Sequence, residues 1–138
     1  MNINTAELLN KICDTDDIKG FLNEYEQEFM NVTLSELLNE LAGRSDMSVA
    51  AISRRSGQGD YVYKVFHGER KPSRDIILAI AVGMNLCLNE AQLLLRVAKM
   101  ASLDPRDKRD SVIIYGIKER LAIEKLNDLL YELDEKTL

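Results

Sequence analysis

Apolar residues recur at helical spacing along almost the whole chain, and no stretch alternates with period two for long enough to make a strand. The pattern predicts an all-α protein. Leu8, Leu9 and Ile12 mark a first short helix opened by Asn4 or Thr5, and Ile18, Phe21, Leu22, Tyr25 and Phe29 mark a second after Asp16. Thr33 followed by Glu36 forms a capping box, in which hydroxyl and carboxylate each satisfy a free N–H at the helix start. Behind it Leu34, Leu37, Leu38 and Leu41 make one stripe that stops at Gly43. A helix near Met47 to Ser56 follows, then the turn Gly57-Gln58-Gly59, then a helix from Asp60 as N-cap to about His67, ended by Gly68. Pro72 pushes Lys71 out of helical geometry, and Ser73 caps a new helix carrying Ile76, Ile77, Ile80, Ala81 and Met84. Asn89 opens the next, with Leu93, Leu94, Val97 and Ala101 as its stripe, and Asp104-Pro105 supplies an N-cap and first position for a further helical pair.

That pair repeats an earlier pattern at an offset of 35 residues. Arg74-Asp75 aligns with Arg109-Asp110, Leu86 with Leu121, Leu94-Leu95 with Leu129-Leu130, and Leu103 with Leu138. Ile77, Leu78, Val82 and Leu88 meet Val112, Ile113, Ile117 and Ile123. Two readings are open: a true internal repeat, or two amphipathic helix pairs with similar loops.

The chain has 138 residues, enough for about one domain, with 46% hydrophobic and 30% charged residues, the composition of an ordinary folded protein rather than a disordered one. No secretory or organellar signal and no apolar run of membrane-spanning length is visible, so the expected location is the cytoplasm. Cys13 and Cys87 lie far apart and His67 is the single histidine, which provides neither a disulfide framework nor the ligands of a structural zinc site. With no Gly-rich phosphate loop and no nucleophile and base arrangement, the expectation is a non-enzyme without metal or cofactor. Asp14, Asp16 and Asp17 lack the Gly and terminal Glu of a calcium loop and read as caps.

The net charge of −5 conceals an asymmetry. Residues 1–42 carry two Lys and nine acids, and residues 75–138 carry nine basic residues against eleven acids. Residues 43–74 carry seven basic residues against three acids, a net +4. A basic stripe inside an acidic chain is the footprint of a surface that meets phosphates.

The stripe lies on two short helices joined by a tight Gly-containing turn and followed by helices that bury them, which is the layout of a DNA-binding helix-turn-helix. From Ile52 to Leu86 the chain resembles the lambda-repressor-like, Cro-type helix-turn-helix family of XRE-type regulators. The resemblance is carried by Ile52-Ser53-Arg54-Arg55-Ser56-Gly57 and by Tyr61-Val62-Tyr63-Lys64-Val65-Phe66-His67-Gly68-Glu69-Arg70-Lys71-Pro72-Ser73. It implies a five-helix core over residues 31–101, flanked by an acidic helical arm (1–30) and a C-terminal helical pair (102–138). It also implies a bacterial or phage-like, sequence-specific regulator of transcription, a repressor, whose partner is double-stranded DNA. Three features depart from the family pattern. The turn between the two short helices is about one residue shorter, Ser48 and Val49 stand where a phosphate-binding Gln is common, and Phe66 takes a place often held by Glu.

At 100° per residue, Val62, Val65 and Phe66 share one face of the helix from Asp60, while Asp60, Lys64 and His67 point away from it with Tyr61 and Tyr63 on the flanks. This face is the candidate for the major groove. Lys64 would donate to guanine, and Gln58 and Tyr63 would touch bases or phosphates near the helix start. Asp60 is either the cap or an acceptor from cytosine, and one of the two tyrosines is expected to pack inward. His67 is assigned to a cap or phosphate contact. Ser48, Arg54, Arg55, Arg70, Lys71 and Arg74 are the candidate phosphate contacts, with one of Arg54 and Arg55 free to pair instead with an acid of the N-terminal arm.

Two further partner readings come from the sequence. One helix-turn-helix covers half an operator, so a homodimer is expected, and the stripe Ile123, Leu126, Leu129, Leu130 and Leu133 is either its interface or the closure of the monomer core. The alternative function is a helical protein-interaction module of the same fold, in which the acidic arm or the C-terminal helices bind a protein partner. The arm could also fold over the basic stripe. No membrane partner is expected.

Overall fold

The computed structural model describes residues 4–26 and 32–138, which fall into two compact units divided between Asn31 and Val32. Every regular element among the described residues is helical. In the first unit α1 spans Thr5–Asp14, with the Asn4 side chain accepting from the Glu7 N–H, and α2 spans Ile18–Glu24. The cap of α2 is Asp17, one residue later than Asp16, because Thr15 Oγ1 accepts the Asp17 N–H and defines the turn there. Phe21 and Tyr25 are buried with ring centroids 4.9 Å apart, whereas Leu9, Ile12, Ile18 and Leu22 are exposed. Phe29 lies outside the described residues.

The second unit holds α3 (Leu34–Arg44), α4 (Val49–Ser56), α5 (Tyr61–Phe66), α6 (Arg74–Gly83), α7 (Leu88–Val97), α8 (Lys108–Lys118) and α9 (Ile123–Glu132). Half of the Thr33 box forms: its hydroxyl takes the Glu36 N–H at 3.1 Å, but the Glu36 carboxylate accepts from that same hydroxyl, also at 3.1 Å, and not from the Thr33 N–H. Ser48 caps α4 and Ser73 caps α6. Two predicted starts move. Glu90 reaches back to the Cys87 N–H at 3.0 Å, so α7 opens at Cys87 rather than Asn89. Asp104 does not cap α8, because its carboxylate accepts the Arg106 N–H in a local turn; Asp107 caps α8 through the Asp110 N–H.

Three helix pairs, α3–α4, α6–α7 and α8–α9, turn in the same way. Asp46, Asn85 and Arg120 each take a left-handed conformation after the first helix of the pair. The next N–H then returns to a helix carbonyl, Met47 to Ala42, Leu86 to Ala81 and Leu121 to Gly116, at 3.0 to 3.1 Å. This is the six-to-one bond of a Schellman close. One apolar core joins the pairs: Ile52, Val62, Val65, Phe66, Leu78, Leu94, Leu95, Ile113, Leu126 and Leu130 are all almost fully buried. The C-terminal pair therefore shares the core of the α3–α7 segment. Of the two roles open to its stripe, Ile123, Leu126 and Leu130 serve closure of the core, Leu129 is half-buried, and Leu133 remains exposed.

The 35-residue repeat extends to individual hydrogen bonds. Arg74 grips both carboxylate oxygens of Asp110 at 2.9 and 3.0 Å, and Arg109 donates to Asp75 at 2.9 Å. Each arginine also spends its Nε on a carbonyl at the end of its own repeat, Arg74 on Ala101 and Arg109 on Lys136. Gln92 exchanges two bonds with the backbone of Leu103, and Asn127 exchanges the equivalent two with Leu138. Helices α7 and α9 begin and end 35 residues apart. Because each repeat offers an Arg to the other's Asp, the pairing is reciprocal, as across a two-fold axis.

Burial pushes the Asp110 carboxyl up, but the Arg74 guanidinium and the Asp104 N–H outweigh it and hold it below the ordinary value of 3.8; Arg109 and Lys136 do the same for Asp75. A carboxylate depressed in the folded state contributes stability that is present above the unfolded value and is lost as pH falls through the folded one. Asp110→Ala, which leaves the Arg74 guanidinium without its partner, is expected to cost about 3 kcal/mol in urea unfolding at neutral pH. Asp110→Asn should cost less and should flatten the loss of stability below about pH 4; an acid limb as steep as in the parent protein would contradict this account.

Candidate functional site

The basic stripe maps onto α4, α5 and the loop that follows, and both ends of α5 are held from outside. At its start, Gly57 takes the left-handed conformation (φ 72°) that an L side chain resists. Ser53 donates to the Gly59 carbonyl at 2.6 Å, and the buried Ser56 hydroxyl accepts the Gln58 N–H. At its end, the Phe66 carbonyl accepts from both Ser35 and Asn39 of α3, the second at 2.9 Å. Val62, Val65 and Phe66 are buried as the angular reading predicts, and Tyr61 is the tyrosine that packs inward. Phe66 thus fills the core at the place where the resembled family often has a carboxylate.

What α5 leaves outside is polar. Asp60, Tyr63, Lys64 and His67 are exposed on its outer side, and Gln58 is half-buried at the turn. Asp60 stands at the N-cap position in helical conformation, and its side chain makes no capping bond, which leaves the carboxylate outward. Ser48 is exposed with its oxygen occupied as the α4 cap. Arg54, Arg55, Lys64, Arg70 and Lys71 are exposed and form no ion pair among the described residues.

Arg74 is the correction. Its guanidinium is bound on every side, by Asp110, Ala101 and Ser102, and its side chain is 25% accessible. It is a structural residue and leaves the set of candidate phosphate contacts. The basic residues around it separate into two places. His67, Arg70 and Lys71 edge a groove of about 640 Å³ floored by Leu34, Val65, Pro72, Val97 and Met100. Arg54 and Arg55 edge a smaller cavity of about 270 Å³, shared with Arg120 of the α8–α9 turn and Glu124 at the start of α9. Sequence reading overlooked Arg120, although the 35-residue offset places it on Asn85, beside the end of α6.

The approach of α4 to α6 that sets this geometry depends on Gly83. A Cβ there would lie 2.7 Å from the Ser56 nitrogen and 2.9 Å from the Ser56 Cα, which is backbone and cannot swing aside. No described helix is long and apolar enough to cross a membrane. Comparison of the chain with protein-family models, with curated proteins and with solved structures found no match. The expected outcome of Gly83→Ala is a loss of about 2 kcal/mol in thermal or urea unfolding, together with altered amide shifts along α4 and its turn; a variant with unchanged stability and shifts would refute the close-approach argument.

Proposed function

We propose that this chain is a sequence-specific double-stranded DNA-binding regulator of the helix-turn-helix kind, a repressor, with α5 as its recognition helix. The observation that carries this reading is the outer side of α5. Lys64, Tyr63, His67 and Asp60 are exposed there, on a short helix whose other side is buried and whose two ends are pinned by α3 and α4. A helix so held can enter a major groove about 12 Å wide without losing further conformational freedom, and the side chains it offers match the edges of bases. Lys64 donates to guanine O6 or N7, and Asp60 accepts from cytosine N4. Gln58 and Tyr63 contact the groove near the helix start, and Tyr61, packed inward, supports them.

Affinity comes from the backbone. Arg54 and Arg55 on α4, with Arg70 and Lys71 after α5, neutralise phosphates on the two sides of the groove, and Ser48 donates its hydroxyl hydrogen to another. The net +4 of residues 43–74 opposes the acidity of the rest of the chain, so binding is confined to this face. A single α5 reads one half-site, and a homodimer places two of them roughly 34 Å apart on a palindrome. With Ile123, Leu126 and Leu130 in the core, such a dimer forms through surfaces other than that stripe.

Selection from a pool of random duplexes at about 150 mM salt, where weak non-specific binding is suppressed, is expected to enrich one motif. Lys64→Ala should lose about 1 to 3 kcal/mol of discrimination at one base pair while keeping the fold. Arg70→Gln with Lys71→Gln should weaken binding to every sequence and reduce the salt slope by about 1.8, two phosphates' worth. Absence of any enriched motif would reject DNA reading in favour of the helical protein-interaction module.

A further inference from the structure

Beyond DNA reading, we propose that Arg54, Arg55 and Arg120 form a pocket for a phosphate group, built jointly by the helix-turn-helix and the C-terminal helix pair. The cavity holds about 270 Å³ and is walled by the end of α4, the end of α6 and the α8–α9 turn. Three arginines from two distant parts of the sequence are among its lining residues, against one acidic residue, Glu124. Among the described residues none of the three is engaged in an ion pair. Three cations around one concavity repel one another unless an anion occupies it. The planar fork of guanidinium matches the oxygens of phosphate through paired N–H donors. The space accepts a phosphate with room for an ester substituent.

Arg120 supplies the second line of argument. In the repeat it occupies the position of Asn85, and both residues are left-handed, with φ 54° and 59°. Asparagine adopts that conformation more readily than arginine, so the backbone does not account for arginine at this place. The side chain is also aimed: its Nη1 donates to the Asn85 carbonyl at 2.7 Å, which holds the guanidinium over the end of α6, on the cavity shared with Arg54 and Arg55. One such bond leaves the other guanidinium N–H groups available for an oxyanion. The opposite repeat therefore contributes a charge where its counterpart contributes only a turn.

Phosphate chemistry reaches such a pocket from a free small molecule or from a DNA backbone, and two measurements on the full chain separate these sources. Inorganic phosphate is titrated into the protein at fixed ionic strength, with chloride as the reference, while amide shifts are followed. A saturable response at Gly83, Asn85 and residues 120–123, weakened about tenfold in Arg120→Asn, supports the pocket with a free phosphate as its ligand. Arg120→Asn copies the residue that the first repeat carries at this turn, so it keeps the backbone. Arg54→Gln, at an exposed position of α4, should give the same loss. If phosphate gives no saturable response but Arg120→Asn lowers the DNA salt slope by about 0.9, the pocket stands as a contact to the DNA backbone. Absence of both responses overturns the proposal. The phosphate titration is read without DNA, so its result is independent of whether α5 reads bases.

Discussion

The reciprocal clamp between Arg74–Asp110 and Arg109–Asp75 is the constraint from which the larger unit takes its shape. It ties the first turn of α6 to the first turn of α8, and the spare donors of each arginine fasten the ends of the two repeats at 101–102 and 136–137. Salt bridges taken out of water seldom add much net stability over apolar residues of the same volume, because desolvation offsets the attraction. Their directional demand is another matter. A guanidinium that must meet one carboxylate and two carbonyls permits a single register of α8 against α6, whereas leucine and isoleucine side chains accept several. The apolar core makes the two pairs adhere, and the clamp decides how.

From that register the functional surface follows in steps. Helix α8 fixed against α6 carries α9 with it, and Ile123, Leu126 and Leu130 close the core over the repeat. The α8–α9 turn then arrives at the end of α4, so Arg120 stands across a cavity from Arg54 and Arg55. Beside that cavity, the Gly83 approach and the Ser53 and Ser56 bonds aim the turn into α5. The C-terminal pair is thus part of the frame that holds α4 and α5 rather than an appendage to them.

Much of this was legible in the sequence where local chemistry decides the outcome. The Thr33 cap of α3, the Ser73 cap after Pro72, and the buried face of Val62, Val65 and Phe66 all follow from neighbours within four residues. The repeat was visible at Arg74-Asp75 and Arg109-Asp110, yet its meaning was not, since residues 36 apart gave no sign that they would pair. For that reason Arg74 read as a phosphate ligand when it is the centre of the fold. Asp104 and Asn89 misled for a related cause: each has the composition of a cap, but a competing acceptor, Asp107 or Glu90, formed the cap elsewhere. Arg120 was hidden because a turn residue acquires a role only through the helices that bring it to α4.

The claim on which the account rests is that a rigid helical core presents α4 and α5 to duplex DNA. Its most direct test is amide chemical-shift mapping of the full chain as an enriched duplex is added. The account predicts large, saturable shifts across residues 48–72, with the largest at 58–67 on α5 and its turn. Shifts confined to the acidic arm or to the C-terminal pair, with α5 undisturbed, would contradict it.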